Sequence, residues 1–256
     1  TQRVRLRLLN ASNARSYGFG FADDRRFSLV GTDGGLLPAP VDTTRITLSP
    51  GERAEVVVTV RPGEDAVLRS TPPRLGLDPL SARFSGGADV LDILQLRAAR
   101  QLTPSPAVPR RLVDMPRLDP ADAAQRRTFR LGGSKINGRS MDMARIDATV
   151  VRDTTEVWRV TNADGVPHSL HVHDVQFQVL SVAGNRPPAP LRGWKDTVYL
   201  PPNAPVEIIA RFADYADPNV PYMFHCHVLR HEDRGMMGQF VMVEPGQRPG
   251  TPGHHN

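Results

Sequence analysis

The chain has 256 residues, 39% of them hydrophobic, with 24 prolines and 21 glycines, a composition that suits a turn-rich all-β protein with one large core or two smaller ones and argues against a helical bundle. Its formal charge of +5 comes almost wholly from arginine, Lys135 and Lys195 being the only lysines, and no Lys/Arg cluster is interleaved with aromatics as nucleic-acid binding would require. No apolar run is long enough to cross a bilayer, and a single cysteine excludes a disulfide framework.

Residues 3–9, RVRLRLL, alternate strictly. Val4, Leu6 and Leu8 point one way and Arg3, Arg5 and Arg7 the other, which predicts a half-buried strand whose arginine row faces solvent or another domain. Asn10 to Asn13 make a turn. FSLVGTDGGLL (27–37) reads as strand then turn, with Gly34 and Gly35 supplying positive φ. RITLSPGERAEVVVTV (45–60) reads as strand, Pro50-Gly51 turn and strand, and DVLDILQLR (89–97) is a further alternating run. From Arg100 to Ala124, Pro104, Pro106, Pro109, Pro116 and Pro120 with no periodicity mark a linker, long for a connection inside one compact domain. A second β block follows: RTFRLGG, KINGRSMDM, EVWRVTN, HSLHVHDVQFQVLSV, DTVYLPP, PVEIIARF and the region around His225. The tail from Pro245 is expected to be disordered, with no specific role for His254 and His255.

The two blocks echo each other. RVRLRLLNAS is similar to TEVWRVTNAD, FSLVGTDGGLL to FQVLSVAGNRP, and GERAEVVVTV to APVEIIARF. Two copies of one β-sandwich unit account for this. Strand and turn at 126–150 precede EVWRVTN, whereas almost nothing precedes RVRLRLL, so the first unit is expected to lack its opening strands. The resulting division is 1–99 as an incomplete first domain, 100–124 as linker, 125–245 as a second domain and 246–256 as tail.

The chemistry is concentrated in HCHVLRHEDRGMM (225–237), which holds the only cysteine. A thiolate with imidazoles and a thioether is a soft donor set, and His₂Cys with a weak axial Met is the blue-copper arrangement. Side chains alternate in an extended segment, so His225 and His227 point one way and Cys226 the other. One short segment can therefore serve two metal centres. The remaining cluster is HSLHVH, with His168, His171 and His173; His171 and His173 share a face. Zinc also takes Cys and His, but a closed zinc site would leave several of these histidines unused.

With these motifs in view, the chain resembles the second and third cupredoxin domains of bacterial three-domain multicopper oxidases of the laccase-like and copper-efflux-oxidase type. HxxHxH and HCHxxxHxxxxM are present at full spacing, and RLRLLNASNARSY, DGGLL, GER, KINGRSMDM and GWKDTV also resemble that group, over residues 3 to 244. The resemblance implies two cupredoxin-like Greek-key β-sandwich domains and copper as cofactor, four ions in a complete protein. It implies type 1 ligands His168, Cys226, His231 and Met236, a type 2 ligand His171, and type 3 ligands His173, His225 and His227. Glu232 matches an acidic residue that could feed protons to reduced dioxygen, and Asp196 could hydrogen-bond a type 1 histidine. Ser169 stands where the family often has Pro, and Asp174 where Gly often follows; neither removes a ligand. The methionine-rich insertion of cuprous oxidases is absent, Met115, Met141 and Met143 being the only methionines between the domains. Asp164 precedes His168 as in those oxidases, but Val166 is not a methionine. The pattern favours a general phenol or aromatic-amine oxidase over a cuprous-ion specialist.

Residues 1–167 contain no histidine. In the family, half of the trinuclear-cluster ligands come from a first domain, so a missing N-terminal cupredoxin domain is expected to supply them, and the fragment alone is expected to be inactive. The other partners implied are O2 and a small-molecule or metal-ion reductant, with no nucleic acid or membrane, in the periplasm or outside the cell. The alternative is a type 1 copper electron carrier or copper-binding module without oxygen chemistry.

Overall fold

Alternating sequence becomes paired strand throughout the computed structural model, which describes residues 1–252. The chain forms two units, Thr1–Met115 with Pro188–Trp194, and Pro116–Pro187 with the residues from Lys195 on.

The first unit contains β1 (Gln2–Leu9), β2 (Tyr17–Phe21), β3 (Phe27–Thr32), β4 (Gly35–Thr43), β5 (Arg45–Leu48), β6 (Arg53–Val60), β7 (Asp65–Thr71), the helix α1 (Pro79–Phe84) and β8 (Leu91–Arg97). Its sheets run β1-β6-β3-β4 and β5-β2-β7-β8. The inward residues of both sheets, among them Phe19, Phe27, Leu29, Val56 and Leu68, form one core, against which Val4, Leu6 and Leu8 pack. Each such side chain, once buried, contributes about 1.5–3 kcal/mol. The arginine row of β1 is occupied within the unit: Arg5 and Arg7 meet Glu55 across the strand pair, and Arg3 donates to the carbonyls of Ser105 and Pro106.

The second unit contains β9 (Ala123–Gly132), β10 (Lys135–Ile136), β11 (Ala148–Val151), β12 (Thr154–Asn162), β13 (His168–Val172), β14 (Phe177–Val182), β15 (Thr197–Leu200), β16 (Pro205–Phe212), β17 (Asp217–Cys226), the short helix α2 (Leu229–Glu232) and β18 (Met237–Val243). Its sheets run β10-β9-β12-β16-β14 and β11-β18-β17-β13-β15. Trp158 centres the core, with ring centroids 5.0 Å from Phe129, 5.5 Å from Phe224 and 5.9 Å from Phe240. Its indole N–H donates to buried Glu156 at 2.8 Å, and Arg127 pairs with the same carboxylate at 2.6 Å, so the polar end of the ring is satisfied.

The sequence echo is a structural repeat. The order β1-β6-β3 recurs as β12-β16-β14, and β5-β2-β7-β8 recurs as β15-β13-β17-β18. At the end of β1, Asn10 donates through Nδ2 to Arg15 O at 2.7 Å and Leu48 O at 2.8 Å. At the end of β12, Asn162 does the same to Val166 O at 2.8 Å and Leu200 O at 3.1 Å. The second unit adds two parallel pairings, β9 beside β12 and β11 beside β18. Among the described residues β1 and β8 have no such outer neighbour.

Several expectations need correction. Gly35 takes positive φ (129°) but Gly34 does not; Gly34 instead donates its N–H to Trp194 O at 2.9 Å. The run ending at Arg97 is a strand but not half-buried: as an edge strand it leaves Leu91, Ile93 and Leu94 exposed. The proline-rich stretch is not a free linker. Leu112 donates to Pro38 O at 2.9 Å, the unit boundary falls after Met115, and β9 already begins at Ala123. The tail is tied down at Gly250, which donates to Pro218 O at 2.9 Å. His254 and His255 lie outside the described residues. No helix among the described residues is long and apolar enough to cross a membrane.

Candidate metal centres

Strands β13 and β17 lie side by side, with Leu170 opposite Cys226 and His171 opposite His225. Directly opposed residues share a face and alternate along the strand. His168 and Cys226 therefore lie on one face, and His171, His173 and His225 on the other.

On the first face, Cys226 Sγ lies 3.5 Å from His168 Nδ1 and 3.6 Å from His231 Nδ1. His231 returns to the site through α2, where its N–H donates to Val228 O at 2.8 Å. Met236 follows a tight turn at Gly235 (φ 89°), whose carbonyl accepts from Met141 N at 2.9 Å. The Met236 carbonyl accepts from Cys226 N at 3.1 Å, and its side chain is fully buried beside the cysteine's strand. Asp164 sets the His168 ring: one carboxylate oxygen meets Nε2 at 2.9 Å and the other accepts from Gly133 N at 2.9 Å. Nδ1 is thereby left facing the sulfur. Burial pushes the Cys226 thiol up to about 11 and His231 down to about 4, and it lowers His168 against the opposing charge of Asp164.

On the second face, donor atoms of His171, His173 and His225 lie within 4.8 Å of one another. His173 Nε2 and His225 Nε2 are 3.2 Å apart. The His227 ring lies 5.7 Å from that of His171 and 5.6 Å from that of His225. His171 Nδ1 is held by Asp196 O and Thr197 Oγ1, each at 3.0 Å. His225 Nδ1 lies 3.3 Å from Glu232 Oε2 and 3.3 Å from Cys226 O. Burial, then the neighbouring imidazoles, push His173 down to about 4; His225 is also pushed to about 4, mainly by burial.

The donor sets fit metal ions. Buried imidazoles held neutral keep lone pairs available at neutral pH. His227 Nδ1 is buried with no hydrogen-bond partner, the kind of orphan a cation resolves. Thiolate with imidazoles suits copper or zinc, and a nearby cation would reverse the thiol's raised pKa.

The predicted residues thus gather into two groups: His168, Cys226 and His231, with Met236 in the adjoining turn; and His171, His173 and His225, with His227. Glu232 sits on His225. Asp196 is corrected: its carbonyl holds His171 Nδ1 and its carboxylate lies 3.5 Å from the same nitrogen, so it serves the second face. Sequence reasoning missed Thr197 and Gly133. Thr197 sits beside Asp196 in a strand ending opposite His171, a register visible only once β13 and β15 pair.

The first unit has no such group. Tyr17 opposes Leu48 as His168 opposes Leu200, and Ser70 opposes Phe19 as Cys226 opposes Leu170. Tyr17 and Ser70 therefore stand where the second unit has imidazole and thiol. Gly18 N donates to Ser70 Oγ at 3.1 Å there.

Two multicopper oxidase family models match, over residues 110–246 and 1–66. A cell division protein FtsP of Xenorhabdus nematophila is 35% identical over 247 residues, covering 95% of this chain and 51% of that protein. The FtsP of Yersinia pestis is 36% identical, covering 94% and 51%. Among solved structures, a laccase-like multicopper oxidase CueO from Ochrobactrum sp. has TM-score 0.83 and 34% identity, covering 94% of this chain and 56% of that one. The multicopper oxidase McoA of Aquifex aeolicus has TM-score 0.83 and 27% identity, covering 94% and 56%. The two all-β sandwiches are cupredoxin-like, as in these structures. The chain spans about half the length of the curated relatives it matches.

Proposed function

The chain belongs to the multicopper oxidase family, and on that basis we propose that the whole protein is a copper-dependent oxidoreductase coupling one-electron oxidation of a phenol, aromatic amine or metal ion to four-electron reduction of O2 to water. The observation that carries this reading is the pair of donor groups, His168, Cys226 and His231 on one face of the β13–β17 pair and His171, His173 and His225 on the other. His168, Cys226, His231 and Met236 would hold type 1 copper; His171 would hold type 2; His173, His225 and His227 would bind the type 3 pair, completed by histidines from outside this chain. Bound copper supplies the one-electron acceptor on the first face and the oxygen-reducing centre on the second.

The chain's own residues do the rest. Asp164 fixes the His168 ring and, being partly exposed while His168 is buried, offers a contact at the surface for the donor and its proton. Asp196 and Thr197 fix the His171 tautomer with Nε2 free. Glu232 orients His225 and can hold a proton beside the second face. Cys226 with its neighbours His225 and His227 is the shortest covalent path between the faces. Residence in the periplasm or outside the cell is part of the same reading.

A role in cell division, as named for the FtsP relatives, is the second reading. Copper content, visible absorption and EPR of the full-length protein separate the two. About four coppers with an intense blue band supports the oxidase; one copper with a blue band alone supports an electron carrier; no copper supports a metal-free division protein. Cys226→Ser should abolish both the blue band and O2 consumption, and turnover that survives it refutes the scheme.

A further inference from the structure

Within the second unit, the turn that carries Met236 is fastened by a single segment of chain. Residues 140–147 form no helix or strand. Every hydrogen bond that leaves them among the described residues ends on Gly235 or Gln239, which flank Met236. Met141 N donates to Gly235 O at 2.9 Å, and Asp147 N donates to Gln239 O at 2.9 Å. In return Gln239 N donates to Asp147 Oδ2 at 3.1 Å, and the Gln239 side-chain amide donates to Met143 O at 2.9 Å and Arg145 O at 2.8 Å. Gln239 is fully buried, so both hydrogens of its amide are spent on this one segment. Arg145 stiffens the segment from within, donating to Asp147 Oδ1 at 2.6 Å and Ser140 O at 3.0 Å. Glycine at 235 permits the approach: a Cβ there would lie 3.2 Å from Met141 N and from Ser140 Cβ. On its other side the turn is tied to the donor residues themselves, with Met236 N donating to His231 O at 2.9 Å and Cys226 N to Met236 O at 3.1 Å.

We propose that residues 140–147 brace the axial donor, with Gln239 and Asp147 as positioning residues that set the reduction potential of the first centre through Met236. This rests on the copper reading. Neither residue touches a donor atom; both act on the backbone that carries the thioether. A weak axial ligand tunes the metal rather than holding it, so slack in this turn changes the potential before it costs copper. Withdrawing the thioether removes electron density from Cu(II), which favours Cu(I) and raises the potential.

The test is potentiometric titration of the full-length, copper-loaded protein read at the blue band, beside amide exchange of the copper-free protein. Gln239→Leu should raise the potential in the same direction as Met236→Leu, by a smaller amount. In a Met236→Leu background Gln239→Leu should add nothing, because its effect runs through the thioether. Asp147→Asn keeps the shape of the side chain but cannot accept from both Arg145 and Gln239. It should shift the potential the same way, and it carries the test if Gln239→Leu does not fold. Without copper, either substitution should speed exchange across 140–147 about tenfold, the worth of one hydrogen bond. A shift that persists at full size without Met236, potentials unchanged in both variants, or exchange unchanged in both overturns the proposal. No blue band in the wild type refutes the copper reading and the proposal with it, whereas unchanged potentials in a blue protein refute the proposal alone.

Discussion

Burial sets the protonation of the donor residues. His173, His225 and His231 lie near 4 in the fold, against an ordinary 6.5 when unfolded. Below 6.5 the unfolded chain takes protons that the fold refuses, so these groups cost stability progressively as pH falls from 6.5 to about 4, and no further below that. Asp174 works the other way. Burial and the charge of Asp214 push it up to about 6, so its contribution is lost as pH rises from 3.8 to about 6. With three imidazoles against one carboxyl, the urea midpoint of the metal-free protein should fall between pH 7 and pH 5, and His231→Gln should flatten the slope. A midpoint constant over that range would show that the imidazoles are not buried neutral. At this scale the sequence was highly legible, because thiol, imidazole and thioether are rare and their spacing along a strand decides which share a face. Asp196 was misplaced because the face it serves follows from the pairing of β13 with β15, which no side-chain pattern records.

The repeated asparagine corner is the clearest case of sequence speaking at the level of elements. LLNAS and VTNAD each end a strand on an Asn whose amide closes one buried and one partly buried carbonyl, so both positions need the same side chain. Asn10→Ala or Asn162→Ala should each cost about 2–4 kcal/mol, from carbonyls left without donors. Chemical denaturation of the single variants measures this, and a loss well under 1 kcal/mol would mean that water replaces the amide. Other elements were less legible. The parallel partners β9 and β11 precede the strands they join by long intervals, and no local pattern announces such pairing. The alternation at 89–97 gave a strand correctly, but an edge position leaves Leu91, Ile93 and Leu94 uncovered while Leu96 packs against the core. The glycines of TDGG were read as equivalent, yet only Gly35 has the positive φ that a turn reserves for glycine.

At the scale of the whole chain, the two tryptophans report different units: Trp158 is in the core of the second, and Trp194 belongs to the first although it lies between strands of the second. Single-tryptophan variants, Trp158→Phe and Trp194→Phe, should therefore give separate fluorescence transitions, since two units need not unfold as one. Copper should raise only the transition seen by Trp158, by about 2.7 kcal/mol when free copper is a hundredfold above its Kd. Equal shifts of both transitions would mean that the units unfold together.

The alternation of His225, Cys226 and His227 along one strand end ties two sites to a single reading frame of the sheet. Substitution can alter either site alone, but a one-residue insertion or deletion just before His225 would exchange the faces, presenting the thiol to the histidines of β13 and the imidazoles to the core. Length is thus held here by the sheet as firmly as identity is held by the donor residues. Across descendants of this gene, the short interval from Phe224 to Val228 should never carry a gap, even where a donor residue has been replaced.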